Sequence, residues 1–138
     1  MPIVLSVNNT LPLFTGVLRP DVISGVSRTT NVDNFDPARD LWINPAAFKV
    51  PATLRFGTAA RSYTDLRNPG YRNENFGLLK KFHVSERLTL TARAEWFNAL
   101  NRVIFGAPQS NASNAQFGRI TSQANTPRQG QVALRLDF

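Results

Sequence analysis

The segment 87-RLTLTARAEWF-97 decides the fold class. Its residues alternate with a strict period of two, since an apolar set (Leu88, Leu90, Ala92, Ala94, Trp96) is interleaved with a polar set (Thr89, Thr91, Arg93, Glu95). In a helix, Leu88 and Leu90 would lie on well-separated faces. The segment therefore predicts a β-strand with one apolar face and one polar face.

Two further segments predict strands on either side of this one. The last eight residues, 131-QVALRLDF-138, place Val132, Leu134, Leu136 and Phe138 on one face. The segment 75-NFGLLKKFHV-84 has a weaker alternation, because Gly77 and the adjacent pair Leu78-Leu79 interrupt it. Ser85-Glu86 would be a tight connection to the strand at 87–97. We expect an all-β fold of antiparallel strands.

Alternation of this kind describes either a half-buried strand of a soluble sheet or a strand of a membrane barrel. Two features favour the membrane strand. The apolar face carries the small Ala92 and Ala94 and ends at Trp96, which suits lipid and an interfacial aromatic girdle better than a packed core. The connections are also unequal, with about two residues at Ser85-Glu86 and a long polar stretch at 98–129.

Composition limits the remaining possibilities. The chain has 138 residues, no cysteine and a formal net charge of +7. Its arginines are scattered singly and Lys80-Lys81 is the one basic doublet, so we do not expect a nucleic-acid partner. No run approaches the roughly 18 to 20 apolar residues of a membrane-spanning helix. The opening residues, 1-MPIVLSVNNTLPLF-14, do not read as a signal peptide.

The first half of the chain is punctuated by Pro, Gly, Asn and Asp every few residues, which predicts a long loop region at 15–74. Within it, 44-NPAAF-48 predicts one helical turn, with Asn44 as the cap and Pro45 at the first helical position. Short apolar islands at 4–5, 41–43, 46–48 and 54–56 could anchor this region onto a larger body. Later in the chain, 116-QFGRIT-121 could pair briefly as a strand.

Candidate chemical sites are few. His83 is the single histidine, so a histidine-based metal cluster or a catalytic triad is not expected. Asp33, Asp36 and Asp40 lack the spacing and the glycine of a calcium loop, and we expect turn or capping roles for them. Arg93 and Glu95 should pair with neighbouring strands. Phe105 and Phe117 could either present aromatic rings to a ligand or pack the loop. We expect no enzyme, no cofactor and no metal.

Four segments, together with the terminal Phe138, resemble the C-terminal end of a TonB-dependent outer-membrane receptor, in particular the Oar-like group with an N-terminal carboxypeptidase-regulatory-like domain. The segments are 43-INPAAF-48, 56-FGTAARSYTDLRNPGYRNENFGLLKKF-82, 90-LTARAEWFNALNRVIFGAP-108 and 114-NAQFGRITSQANTPRQGQVALRLDF-138. Each is weak alone, and their order along the chain makes the resemblance specific.

The resemblance implies a fragment, residues 1–138, of a 22-stranded barrel that is incomplete as it stands. Residues 1–14 would end a preceding strand, most of 15–74 and all of 98–129 would be extracellular loops, 75–97 a strand pair with a periplasmic turn, and 130–138 the terminal strand. The plug, the segment that contacts TonB and the other strands would lie upstream. The protein would be a receptor and transporter in the outer membrane of a Gram-negative cell.

The resemblance also implies roles for individual residues. The terminal strand would carry the signal for the barrel-assembly machinery on Val132, Leu134, Leu136 and Phe138. Outer-membrane lipid would contact Leu88, Leu90, Ala92, Ala94 and Trp96. The lumen, with the plug and the rest of the barrel, would face Arg93, Glu95 and Arg135.

Two other functions stay open on sequence grounds. The chain could assemble with copies of itself through open strand edges into an oligomer or filament. It could also be a secreted carbohydrate-binding β-domain that uses its loop aromatics.

Overall fold

The computed structural model describes residues 1–30 and 33–138. The chain divides into two compact units. We call Met1–Pro69 with Gly106–Ser122 the loop unit, and Gly70–Phe105 with Gln123–Phe138 the sheet unit. The elements in chain order are β1 (Asp21–Val22), a 3-10 helix (Pro45–Ala47), β2 (Phe48–Lys49), β3 (Phe76–Ser85), β4 (Leu88–Phe97) and β5 (Gln129–Asp137).

The sheet unit contains a three-stranded antiparallel sheet in the order β3-β4-β5. The strands lie where the alternation of the sequence predicts them, with ends that differ by a residue or so. The turn between β3 and β4 is formed by Glu86 and Arg87, one residue later than predicted, because a register shift between His83 and Ser85 carries Ser85 into the strand. The all-β antiparallel fold class is confirmed.

Away from the register shift at His83–Ser85, the register assigns the paired residues to a face, because residues directly opposite each other across a ladder point to the same side. One set, which we call the apolar face, comprises Phe76, Leu78, Lys80 and Phe82 of β3, Leu90, Ala92, Ala94 and Trp96 of β4, and Gly130, Val132, Leu134 and Leu136 of β5. The other set, the polar face, comprises Gly77, Leu79, Lys81, His83, Thr89, Thr91, Arg93, Glu95, Phe97, Gln129, Gln131, Ala133, Arg135 and Asp137. The adjacent leucines that obscured the pattern of β3 are thus divided between the faces.

Both faces of the sheet are open to the surroundings. Every residue of β3 and β5 is exposed, and β4 is shielded mainly by its two neighbours. On the apolar face, Leu78 is 66% exposed and Leu134 is 71% exposed. Large side chains of a soluble sheet would be covered by a second layer. Within the sheet unit, no described element supplies one.

The loop unit has a small hydrophobic core of its own. The first two-residue strand, β1, pairs with β2, and loops close around them. The buried cluster consists of Ile3, Leu5, Ile43, Ala47, Phe48, Leu66 and Phe117. Three of the four apolar islands in the sequence contribute to it, whereas Leu54 and Phe56 of the fourth are exposed. The islands therefore anchor the loops to one another.

The predicted helical turn is confirmed. Asn44 caps the 3-10 helix, and its side-chain oxygen accepts a hydrogen bond from the Ala46 N–H at 3.1 Å. Pro45 occupies the first helical position, where it has no N–H to satisfy. Residues 1–14, expected to end a preceding strand, make isolated bridges at Pro2, with Arg67, and at Ser6, with Asn111.

The predicted strand at 116–121 is wrong. Residues 115–118 form turns, and Gly118 has φ of +81°. The Gly118 N–H donates to the Gln109 carbonyl at 2.9 Å, and the Gly118 carbonyl accepts from the Trp42 N–H at 2.7 Å. The local apolar residues suggested a strand, but long-range backbone bonds and a left-handed glycine fold the segment back on itself.

Candidate functional site

The apolar face brings together most of the residues predicted to touch lipid or to carry the assembly signal. In β4, Leu90, Ala92, Ala94 and Trp96 lie on this face, and Leu88 follows by alternation. In β5, Val132, Leu134 and Leu136 lie directly opposite three of them. Phe138 follows the last strand residue and is 97% exposed. The two sets of predicted residues thus form one continuous surface, and their contact with lipid or with the assembly machinery stays a prediction.

Lys80 is an unforeseen member of the apolar face. It lies opposite Ala92, which in turn lies opposite Leu134, so it occupies the middle of the surface. Its Nζ lies 5.9 Å from the centroid of the Phe82 ring, within reach of a weak cation–π interaction. The sequence could not assign Lys80 to a face, because the alternation of β3 is ambiguous at Leu78 and Leu79.

The polar face carries the three residues predicted to face a lumen. Arg93 forms an ion pair with Glu95, two residues along the same strand, and Arg135 pairs with Asp137 at 2.7 Å. Glu95 also accepts a hydrogen bond from Gln131 of β5. The expected pairing with neighbouring strands is therefore found for Glu95, whereas Arg93 and Arg135 pair within their own strands. Water and salt screen exposed pairs of this kind, so they shape the charge of the face more than its stability.

One buried asparagine organises the chain where β4 ends. Asn98 is 1% exposed and has φ of +47°. Its side-chain NH₂ donates to the carbonyls of Arg102 and Thr126, both at 3.0 Å, and its side-chain oxygen accepts from the Arg102 N–H at 2.9 Å. Its own N–H donates to Asn75 at 3.0 Å. The end of the sheet opposite the Glu86-Arg87 turn is thereby closed by a satisfied polar network.

An ion-pair cluster strengthens the same end of the sheet unit. Glu74 accepts hydrogen bonds from the Arg102 side chain at 2.8 and 3.1 Å and from the Arg72 side chain at 3.0 Å. The Ala99 N–H donates to the Glu74 carbonyl at 2.8 Å. The segment that precedes β3 and the segment that follows β4 are therefore joined side by side.

The other candidate residues have structural surroundings. Asp40 accepts from the Asp36 N–H at 2.8 Å and Asp36 accepts from the Ala38 N–H at 3.0 Å, which are turn roles. His83 lies exposed on the polar face opposite Thr89. Phe117 packs edge-on against Phe48 in the loop-unit core, which is the packing role that one of the two alternatives predicted. Phe105 lies at an isolated bridge with Gln123.

Residues 1–30 and 33–138 contain no group of three or more His, Cys, Asp or Glu residues placed to hold a metal ion. In the same part of the chain, no helix has the length and apolar character needed to cross a membrane.

The sheet defines a class of protein. One face of the sheet is apolar and exposed, and the opposite face is polar and exposed. A two-residue turn joins β3 to β4 at one end of the sheet, and hydrogen-bonded loops lie at the opposite end. This is the construction of a membrane β-barrel wall. A family profile described as "Outer membrane beta barrel domain" matches residues 1–131, and the chain belongs to this family. The protein is accordingly an outer-membrane protein. Searches of curated proteins and of solved structures returned no significant match.

Proposed function

We propose that the chain forms the last strands and the adjoining extracellular loops of a TonB-dependent outer-membrane receptor. The observation that carries the proposal is the sheet unit itself, whose exposed apolar face continues across three strands with a two-residue turn at one end and ordered loops at the other. Receptors of this class carry a large ligand across the outer membrane with energy from TonB. The role is transport, and we expect no catalysis.

The open edges of the sheet support a larger barrel. The outer edges of β3 and β5 expose backbone N–H and C=O groups that no described strand pairs. In lipid each unpaired group costs several kcal/mol, so barrels close completely. We therefore expect both edges to pair with further strands of the same receptor, whose plug and TonB-contacting segment lie outside these 138 residues.

The terminal strand fits the expected assembly signal. Val132, Leu134 and Leu136 are exposed on one face of a strand with a free edge, so another protein could bind it by adding a strand of its own. The barrel-assembly machinery is the proposed partner. Binding at this edge would be transient, because closing the barrel occupies it.

Fractionation and cross-linking in the cells that produce the protein test this proposal. An antibody raised against the loop unit should detect a species much larger than 15.3 kDa in the outer membrane, and this species should cross-link to TonB. A large outer-membrane species that never cross-links to TonB would contradict the receptor proposal while leaving the barrel family intact.

A second candidate is a self-assembling β-rich protein, and the two open sheet edges are the observation that favours it. This candidate predicts that the same antibody detects a species of 15.3 kDa in a defined multimer that is stable without detergent. A species that requires detergent at every step would exclude it.

A further inference from the structure

A cleft in the loop unit has the composition of a ligand site. It has a volume of about 500 Å³ and is lined by residues of the 3-10 helix and β2 on one side and of the 112–119 turns on the other. Small-molecule sites in proteins typically range from about 300 to 1,000 Å³. The buried rings of Phe48 and Phe117, which meet edge-on with centroids 6.0 Å apart, contribute its apolar part.

The turns that form one wall of the cleft are fixed by their own hydrogen bonds. The Asn114 side-chain oxygen accepts from the Gln116 N–H at 2.8 Å, and the Asn114 carbonyl accepts from the Phe117 N–H at 3.0 Å. The Gln109 N–H donates to the Arg119 carbonyl at 2.8 Å. A wall held in this way needs little ordering when a ligand binds, which lowers the entropic cost of binding.

The charged groups of the cleft are all positive. Lys49 and Arg119 line it, and within the described part of the chain neither side chain forms an ion pair. Asp21 lies opposite Lys49 in the β1–β2 ladder, but its carboxylate is bound by the Arg55 side chain and by the Thr58 N–H. Among residues 1–30 and 33–138, no acidic residue lines the cleft.

One further donor lies at the same cleft. The side-chain oxygen of Asn114 is occupied by the Gln116 N–H, while its NH₂ group makes no hydrogen bond within the described residues. The lining therefore offers an ammonium, a guanidinium and an amide NH₂ above an aromatic floor. All three polar groups are donors, and donors of this kind bind carboxylate or phosphate oxygens.

We propose that this cleft binds a small anionic ligand, one that carries a carboxylate or a phosphate on an apolar or aromatic body. Lys49 and Arg119 would bind the anionic group, Asn114 would donate to it, and the apolar body would lie against Phe48 and Phe117. The binding proposal rests on the cleft alone. The further idea that the cleft captures a transported ligand rests on the proposed receptor function.

Ligand-observed saturation-transfer NMR on the full 138-residue chain, folded in detergent, tests the proposal. The probes are benzoate and phenyl phosphate, with benzamide as the neutral counterpart of benzoate. At least one anionic probe should bind, and benzamide should not. Comparing the two anions identifies which anionic group the cleft prefers.

Variants locate the binding. Lys49→Gln and Arg119→Gln should each lower the affinity for the preferred probe about tenfold, because each removes one charge-assisted contact. Arg61→Gln makes the same charge change at an exposed arginine of the loop unit that does not line the cleft, and it should have no effect. Near-UV circular dichroism must show each variant folded like the unmodified chain.

Three results would overturn the proposal: equal binding of benzamide and benzoate, an equal loss of affinity in Arg61→Gln, or no binding of either anion by the folded chain. These results leave the TonB cross-link untouched, so the two proposals fail separately. If the chain binds benzoate at Lys49 and Arg119 but never contacts TonB, the cleft proposal stands and the receptor proposal fails.

Discussion

Trp96 lies directly opposite Gly130 in the β4–β5 ladder, and its indole ring covers the glycine. A Cβ atom built on Gly130 would lie 3.1 Å from Trp96 Cδ1 and Nε1. An aromatic ring that lies over a cross-strand glycine restores packing that the glycine cannot provide. The pair therefore fixes the position of Trp96 at the end of the sheet nearest Asn98.

We expect Gly130→Val to displace the indole and to lower the free energy of unfolding by about 1 to 3 kcal/mol, as overpacking does. Urea unfolding in detergent, followed by tryptophan emission in a Trp42→Phe background where Trp96 is the single tryptophan, measures both the stability and the new environment of Trp96. Gly77→Val is the matched control, since a Cβ at Gly77 meets nothing within 4 Å. Equal stability losses in the two variants would contradict the role of the indole contact.

Gly118 should be indispensable to the loop unit. It has φ of +81°, and a Cβ there would lie 2.4 Å from the Ile43 carbonyl oxygen. We expect Gly118→Ala to destabilise the unit by more than about 2 kcal/mol, because conformational strain and a backbone clash add together.

Gly25→Ala separates the two causes at Gly118. Gly25 has φ of +79°, but a Cβ built there meets no atom within 4 Å. Gly25→Ala should therefore lower the free energy of unfolding by only about 1 kcal/mol. Limited proteolysis of the loop unit measures both variants. If Gly118→Ala resists the protease as well as the unmodified chain does, the turn at 115–118 is not essential to the loop unit.

Asn98→Ala should loosen the loops beside β4. The substitution removes the side-chain bonds to Arg102 and Thr126, each worth about 1 kcal/mol, and leaves the Arg102 carbonyl with only its bond from the Asn125 side chain. Hydrogen exchange of residues 99–105 and 123–128 should accelerate.

Asn101→Ala is the control for Asn98→Ala. Asn101 also has positive φ, of +50°, but its side chain accepts a single described bond, from the Arg128 N–H at 3.2 Å. Exchange that accelerates equally in both variants would mean that backbone strain, rather than the network, holds the loops.

Lys80 and Lys81 are adjacent and lie on opposite faces, which makes them a matched pair. If lipid touches the apolar face, Lys80→Leu should strengthen partitioning into phosphatidylcholine vesicles, by about 2 to 4 kcal/mol if the site is near the midplane. Lys81→Leu on the polar face should change partitioning much less. A larger effect of Lys81→Leu would reverse the assignment of the faces.

The sequence alone predicts the sheet but not the folding of the loops, and the difference has a physical cause. Period-two alternation in β4 and β5 is a local signal, and it located both strands and their apolar sets. The face of Lys80 depends on pairing with Ala92, which β3 alone cannot specify. The turns at 115–118 depend on hydrogen bonds to Trp42 and Gln109. The cleft is lined by Lys49 and Arg119, which lie 70 positions apart in the chain. Contacts of that range leave no periodic trace in the sequence.

We expect lipid to touch the face that contains Leu134 and not the face that contains Ala133. The chain has no cysteine, so Leu134→Cys and Ala133→Cys each provide a single site for an environment-sensitive fluorophore at nearly the same depth. In vesicles with brominated acyl chains, we expect strong quenching of the label at position 134 and little at position 133. Equal quenching at the two positions, or stronger quenching at 133, would contradict it.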